Sequence, residues 1–557
     1  MSKLLRSLTA MLSILALAAC AQLPRSSEIK VGPETKGDLS SDYLYYSPPG
    51  PSTGETQQDV LNGFINAGTG PQNDYASARE YLTQDYKTKW NPNKEVLIQQ
   101  GNPAISFSTK LVATVNLQVQ ASVDADGHFH AQPTGATRSL SFEMVRENGE
   151  WRISKAPDLT ILIRPVFDVI FRSYSVYFLD AAEKHLVPDL RWFPSRASTA
   201  TRIMNAMLSG PSDWLKNAVV SAIPAGTALS LNSVTVAEGI ASVDLTAKAL
   251  TAKPMQRRLM KAQIRATLTQ LPNVYSVSIS VERGAQEIAD LTDLVPSAGS
   301  TQALVLKGNE IMAIGETGLG SLGGTSDLVK KLGATDFAMT ASNDWMALKT
   351  AAGIYRAHIG LFGTDATLVD SRPGQLAPSF DAQGYLWTMT KKAGDAVQIT
   401  SIDGTRRNLK IGWLDAFPRR QFAISAEGSR ITFLVGSGAS VHVYVSSIVR
   451  DSNGAPLSFG APLEVVGAAS LPVSVAWADE NSLSVLTNLS DGSAQASTYT
   501  IGGDSSDLAT ISYGRSLEVR NGSALIYALD ANHNLFQYRN LNWVPISTGV
   551  QSLHFAN

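Results

Sequence analysis

Cysteine is almost absent: Cys20 is the single one in 557 residues. No disulfide within the chain and no cysteine-built metal site can hold it together, so stability has to come from buried apolar surface. An excess of charge is missing too. Lys and Arg number 46 against 48 Asp and Glu, a formal net charge of −2, which is not the basic footprint of a nucleic-acid partner. Beyond the first twenty residues there is no long apolar run. The most apolar later window, 159–171, is broken by Arg164, Pro165 and Asp168, so no second stretch reads as a membrane span. The seven histidines (128, 130, 185, 358, 442, 533 and 554) are scattered, without a zinc-protease or triad pattern. No catalytic, cofactor or metal site is therefore expected.

What is present begins at the N-terminus. Lys3 and Arg6 precede an apolar run from Leu8 to Ala19, which ends in Leu17-Ala18-Ala19-Cys20. Such a run is too short to span a bilayer stably, for which ~20 residues are needed, and has the build of a secretory signal. Small residues before a cysteine form a lipobox. Residues 1–19 are expected to be a signal peptide cut between Ala19 and Cys20, with Cys20 carrying S-diacylglyceryl and N-acyl groups. Acyl chains contribute ~0.8 kcal/mol per buried CH2. Cys20 would thus hold the protein in membrane lipid, on the extracytoplasmic face of the cell membrane. Residues 20–54 read as a flexible tether, since Ser47-Pro-Pro-Gly-Pro-Ser-Thr-Gly54 sustains neither a helix nor a central strand. Gly50-Pro-Ser52-Thr-Gly54 matches the nucleophile-elbow pattern, but no strand leads into it, and that geometry requires one.

Residues 55–157 form a first folded unit. Val60, Leu61, Phe64 and Ile65 have helical spacing, and 75–86 continues as a second helical stretch. Alternation from Leu111 to Ala121 and on both sides of Asn148-Gly149 predicts strands, with a further turn at Asp126-Gly127. Helices followed by a curved antiparallel sheet resemble the cystatin-like or nuclear-transport-factor-like roll, often a pocketed accessory domain. His128 and His130 share a strand face, which reads as a solvated hairpin before it reads as a metal site.

Residues 172–290 form a second α+β unit. Strands are expected at 173–179, 186–193, 231–236, 240–245 and 275–281, with helices at 200–209, ended by Gly210-Pro211, and 255–271. The Tyr-Phe strand, the Leu-x-Gly-Pro stop, Ile223-Pro-Ala-Gly-Thr227 and Val243-Asp-Leu245 resemble the GerM/sporulation domain family.

From 300 to 557 the texture is short strands and turns. Gly308, Asp344, Gly384, Gly428, Asn481 and Gly522 each precede an apolar strand, at spacings of 36, 40, 44, 53 and 41 residues. Propeller blades repeat every ~40–45 residues, so this region is expected to be an all-β propeller of about six blades. Its ring is expected to close by pairing 303–306 with 553–555. Gly318-Leu-Gly-Ser-Leu-Gly323 matches a dinucleotide fingerprint, but the helices of a Rossmann fold do not follow.

Lipobox, roll, GerM-like domain and propeller in this order, with Ile163-Arg-Pro-Val-Phe-Asp-Val-Ile-Phe-Arg-Ser-Tyr-Ser-Val-Tyr-Phe-Leu-Asp180, resemble the actinobacterial LpqB lipoprotein family. The resemblance implies a non-enzymatic accessory of the MtrA–MtrB two-component system. Its partner would be the extracellular domain of the sensor kinase MtrB, with a cell-wall fragment as a further ligand, in envelope homeostasis and division. The alternative is an envelope hydrolase, or a wall-fragment binder, using the propeller or the roll's pocket.

Cys20→Ser tests the anchor. The variant is expected to lose metabolic labelling by a fatty-acid analogue; a labelled Cys20→Ser protein would overturn the assignment.

Overall fold

The computed structural model describes residues 48–557 except 134, 317, 361–364, 468–470, 521 and 523. Ala19, Cys20, the signal segment 1–19 and most of the tether lie outside the described residues. Among those described, no helix is long and apolar enough to cross a membrane.

The first unit opens with α1 (Gln57–Ala67), fixed by a capping box. Thr56 Oγ1 accepts from the Asp59 N–H, and the Asp59 carboxylate accepts from the Thr56 N–H, satisfying donors the first turn would otherwise leave unpaired. Six strands follow: β1 (Glu95–Thr109), β2 (Val112–Asp124), β3 (Phe129–Ala131), β4 (Thr137–Glu147), β5 (Glu150–Lys155) and β6 (Thr160–Ile163). They make one sheet of order β5-β4-β2-β1-β6, with β3 on β2. Val60, Leu61, Phe64 and Ile65 of α1 pack onto Leu97, Val115, Leu140, Phe142 and Ile161. Parallel pairing of β6 with β1 carries the sheet past residue 157.

One local expectation fails here. The stretch 75–86 holds a single helical turn, Ala76–Arg79, because residues 81–83 instead pair with Ile153 of β5: the Ile153 N–H donates to the Tyr81 carbonyl and the Thr83 N–H to the Ile153 carbonyl. The turn expected at Asp126-Gly127 joins β2 to β3, with Gly127 at positive φ. The cavity among Phe64, Trp90, Phe142 and Leu159 leaves about 10 Å³ for the centre of a water molecule, room for one water.

The second unit follows α2 (Arg164–Ile170). One sheet contains β7 (Phe171–Asp180), β8 (Leu186–Pro194) and β9 (Val219–Val220); another contains β10 (Thr235–Ala237), β11 (Ile240–Leu245), β12 (Ser276–Val281) and β13 (Gly284–Ala285). The helices α3 (Thr199–Ser209) and α4 (Pro254–Leu268) share their core with both. Of the strand expected at 231–236 only β10 forms, since Asn232 at φ 52° breaks the extended run.

The remaining strands build six sheets. The blades span, by innermost to outermost strand, 336–370, 379–409, 419–466, 472–512 and 514–547 in chain order. The sixth is the seam blade: Val550–Phe555 is innermost, followed by Ala303–Lys307, Glu310–Gly315 and Gly318–Ser321. Ala303 pairs with Phe555, Leu304 with His554 and Val305 with Leu553. The dinucleotide-like Gly318–Gly323 thus begins as an outer strand. Five aligned turns, 344 to 522, join first and second strands; Gly308 joins the second and third of the seam blade. The 53-residue spacing comes from the third blade in chain order, where Ser440–Arg450 pairs with both Pro456–Phe459 and Leu463–Val466.

An apolar cluster fills each junction between blades, such as Leu304, Leu306, Phe337 and Leu348 beside the seam, or Val475, Trp477 and Val443 further round. The seam also carries an ion cluster. His554 Nε2 lies 2.7 Å from Asp336 Oδ1, and Nδ1 lies 3.7 Å from Glu518, so one ring joins three innermost strands. Burial works against the charged imidazole, but Asp336 and Glu518 outweigh it and push its pKa up to about 10.

A group raised in this way stabilises the fold fully below its unfolded pKa of ~6.5 and loses that contribution as pH climbs through the folded value. His554→Gln is expected to lower stability by about 2 kcal/mol at pH 7. The deficit should shrink above pH ~10. Urea unfolding at both pH values checks this; an equal deficit at both would refute the charge account.

Candidate functional site

The best-built polar constellation lies where the second unit meets the propeller. Strand β7 is buried from Tyr174 to Asp180, so its two faces need two partners. Tyr174, Val176 and Phe178 face one way, Ser175, Tyr177 and Leu179 the other. The strand's backbone is matched by Gln270, whose amide accepts from the Ser175 N–H at 2.9 Å and donates to the Ser175 carbonyl at 2.7 Å. Its side chains reach the propeller: the Tyr177 hydroxyl donates to Glu480 Oε1 at 2.6 Å, Ser175 Oγ lies 3.2 Å from the same oxygen, and Asn481 Nδ2 donates to Ser175 Oγ at 2.8 Å.

Burial raises the pKa of both Glu480 and Tyr177. Arg430 pulls Glu480 back toward ionisation, while Glu427 pushes it further up. Arg430 is itself held by Glu427, with bonds of 2.7 and 3.1 Å, and lies 4.8 Å from the Trp477 ring centroid.

Further contacts extend this junction. Trp192 Nε1 donates to the Gly502 carbonyl at 2.8 Å, and Ser447 Oγ donates to the Trp214 carbonyl at 2.7 Å. Arg164 pairs with Asp504. Gly460, between the two outer strand segments of its blade, is required there, because a Cβ would lie 2.9 Å from the Trp214 oxygen.

Glu480 and Asn481 sit on a turn between first and second strands, Gly502 and Asp504 on one between third and fourth. In an antiparallel four-stranded blade both kinds of turn lie at the same end, so the GerM-like unit docks on that end. It is also tied to the roll. Trp192 N–H donates to Gly127 O at 2.8 Å, and Arg196 and Arg202 both donate to Asn93 Oδ1. The Trp192 ring packs beside Phe129 and Phe167.

The opposite end of the propeller carries Leu471, Leu489 and Tyr513, which are 43%, 42% and 63% exposed. The Gly492 carbonyl accepts from the Tyr513 N–H, linking two of these turns. Tyr513 has φ 52°, strain of a kind that gathers at functional surfaces.

The enzyme alternative meets one suggestive arrangement. Ser440 Oγ is 3.1 Å from His442 Nε2, and His442 Nδ1 is 2.7 Å from Glu464 Oε1. Ser440 and His442 are alternate residues of one strand, with the serine exposed at a hairpin tip, unlike the strained turn that activates a hydrolase serine. Ser52 lies exposed ahead of α1, its N–H on Glu55. His128 and His130 both converge on Asp124, at 2.8 and 3.5 Å, and no group of three His, Cys, Asp or Glu able to hold a metal occurs among the described residues.

Glu480→Gln tests the junction. It keeps an oxygen for Tyr177 and removes the buried charge. Because the Glu480 pKa is raised, the parent is expected to lose stability as pH rises through that value. The variant should lose less as pH rises above the ordinary glutamate range toward neutrality. Identical pH profiles in urea would contradict the assignment.

Three family models match in chain order: the lipoprotein LpqB N-terminal domain at 50–168, sporulation and spore germination at 175–286, and the lipoprotein LpqB beta-propeller domain at 332–553. A lipoprotein LpqB of Cutibacterium acnes is 31% identical over 255 residues, 45% of this chain and 42% of that protein, so the match spans less than half of that relative. One from Corynebacterium jeikeium is 25% identical over 557 residues, 93% of this chain and 90% of the relative. Among solved structures, the tandem GerMN domains of the sporulation protein GerM from Bacillus subtilis align with 26% of this chain and 58% of that one, at 16% identity and TM-score 0.19. With all three models matched in order and a relative aligned over nearly its full length, this chain belongs to the lipoprotein LpqB family.

Proposed function

We propose that this chain is a non-enzymatic lipoprotein, anchored through Cys20 on the extracytoplasmic face of the cell membrane, that binds the extracellular domain of a sensor kinase of the MtrB kind. The lipobox and the name of its relatives support the anchor. The observation that carries the binding role is the local grouping of exposed apolar side chains on the propeller end away from the GerM-like unit; the occupied end exposes Ile402 and Leu541 as well, but on separate turns of different blades. One end is occupied by the GerM-like unit. The other presents Leu471, Leu489 and a strained Tyr513 to solvent. Tyrosine is among the residue types enriched in interface hot spots.

Anchoring favours such a role. A tether of ~30 residues reaches tens of ångströms as a flexible coil, at ~5–6 Å × √n. Confinement to the membrane surface raises local concentration around a kinase ectodomain, so a weak contact is occupied. A wall fragment bound at the same end would act as a further ligand.

A photo-crosslinking residue at Tyr513 is expected to capture the kinase ectodomain in the native envelope, whereas one at Asn481 should not. Capture from Asn481 alone would overturn the choice of end. Fluorophosphonate labelling of Ser440, abolished by Ser440→Ala, would put the hydrolase reading in its place.

A further inference from the structure

Between Asp244 and Glu282 the chain carries six basic residues, Lys248, Lys253, Arg257, Arg258, Lys261 and Arg265, and no acidic one. Lys248, Lys253 and Arg257 belong to a corner of the GerM-like unit made of a 3-10 turn, Ala247–Thr251, and the start of α4, whereas Arg258, Lys261 and Arg265 donate to the carbonyls of Asp290, Ile288 and Leu291. Ala249 and Ala252 are buried and seat the corner on the core. Lys248, Leu250, Lys253 and Met255 point outward, and Leu250 and Met255 are 47% and 57% exposed.

This corner is braced. Arg257 donates from Nε to the Ala252 carbonyl and from Nη2 to the Leu250 carbonyl, both at 2.9 Å, and Thr251 Oγ1 donates to the Lys248 carbonyl at 2.8 Å. The apolar side chains are therefore held out by a fixed backbone. Carboxylates stand only at the margins. Glu282 accepts from the Ala247 N–H at 3.0 Å, and Asp290 pairs with Lys261 at 3.1 Å.

Two large apolar side chains on a rigid corner, flanked by the exposed Lys248 and Lys253, have one matching chemistry: an anionic surface with an apolar layer beneath it. Ammonium groups meet lipid phosphates while leucine and methionine enter the acyl boundary. We propose that the corner 247–258 is a second membrane contact that docks on anionic phospholipid, independently of Cys20. Its role is orientation. A lipid on a flexible tether fixes only distance from the membrane, whereas a second point on the folded body fixes which way the propeller faces. The proposal needs a membrane nearby but not the kinase contact, so either can fail alone.

The test uses the chain from Ala21 onward, which lacks the anchor, in co-sedimentation with vesicles at low salt. Binding to phosphatidylglycerol-containing vesicles is expected to exceed binding to pure phosphatidylcholine by about tenfold. Lys248→Glu with Lys253→Glu should abolish that preference. Leu250→Ser with Met255→Ser, which leaves the charge untouched, should weaken binding severalfold. Because all four side chains are exposed, melting temperatures should not move. As a direct readout of insertion, Met255→Trp should shift its emission to the blue on phosphatidylglycerol vesicles. Equal binding to both vesicle types, undiminished binding by the Lys248→Glu, Lys253→Glu protein, or equal affinity for free glycerophosphate would each overturn the proposal.

Discussion

The seam blade takes its innermost strand from the far end of the chain, and that constraint organises this molecule. Val550–Phe555 supplies the innermost strand of the seam blade, so the chain enters the propeller as that blade's second strand, at Ala303. A second strand starts at the end where first strands finish. The segment leaving the GerM-like unit therefore arrives at the end of the ring carrying the Glu480 and Gly502 turns. Local contacts agree: a Cβ at Gly299 would lie 3.1 Å from Ala426, and the Ala341 N–H donates to the carbonyl of Asn557. Seam, linker and docked domain share one end because strand order demands it.

The junction there uses polar groups more than apolar ones. A glutamate beside Arg430 and a second carboxylate, reached by a tyrosine from another domain, has little tolerance for displacement, since separating the parts leaves desolvated groups without partners. That gives a definite relative placement of the GerM-like unit and propeller. The roll joins through backbone and amide contacts around Trp192 and Asn93, so all three units belong to one body. The far end of the ring leaves Leu471, Leu489 and Tyr513 exposed.

Much of this was legible in the sequence. Turn spacing gave six blades and the closing pair, although Gly308 belongs to a different turn from the other five, because the missing first strand of its blade lies some 240 residues later. The GerM-like elements followed from alternation and from Gly210-Pro211. Strand β1 was missed because Gly101-Asn-Pro103 reads as a turn, whereas the sheet absorbs it as a shift of register between Gln100 and Ala104. The helix expected at 75–86 stops after Arg79 because residues 81–83 pair with Ile153, a long-range contact that apolar periodicity does not register. The Tyr177–Glu480 contact joins residues 303 positions apart, beyond any local pattern. Its one trace was a strand rich in large side chains on both faces, which asks for a second partner without naming it.

The central claim is that the GerM-like unit and propeller act as one rigid body whose function is exercised from the opposite end. Gly454 and Ala182 allow it to be tested directly, since a Cβ at position 454 would lie 4.0 Å from that of Ala182, within the span of a disulfide. The Ala182→Cys, Gly454→Cys protein, compared with a Gly454→Ala control for strain at that positive-φ site, should bridge fully under mild oxidation. Once bridged, it should support sensor output as well as its reduced form does. Loss of output on bridging, restored by reduction, would show that the two units must part in order to work, and would contradict the account.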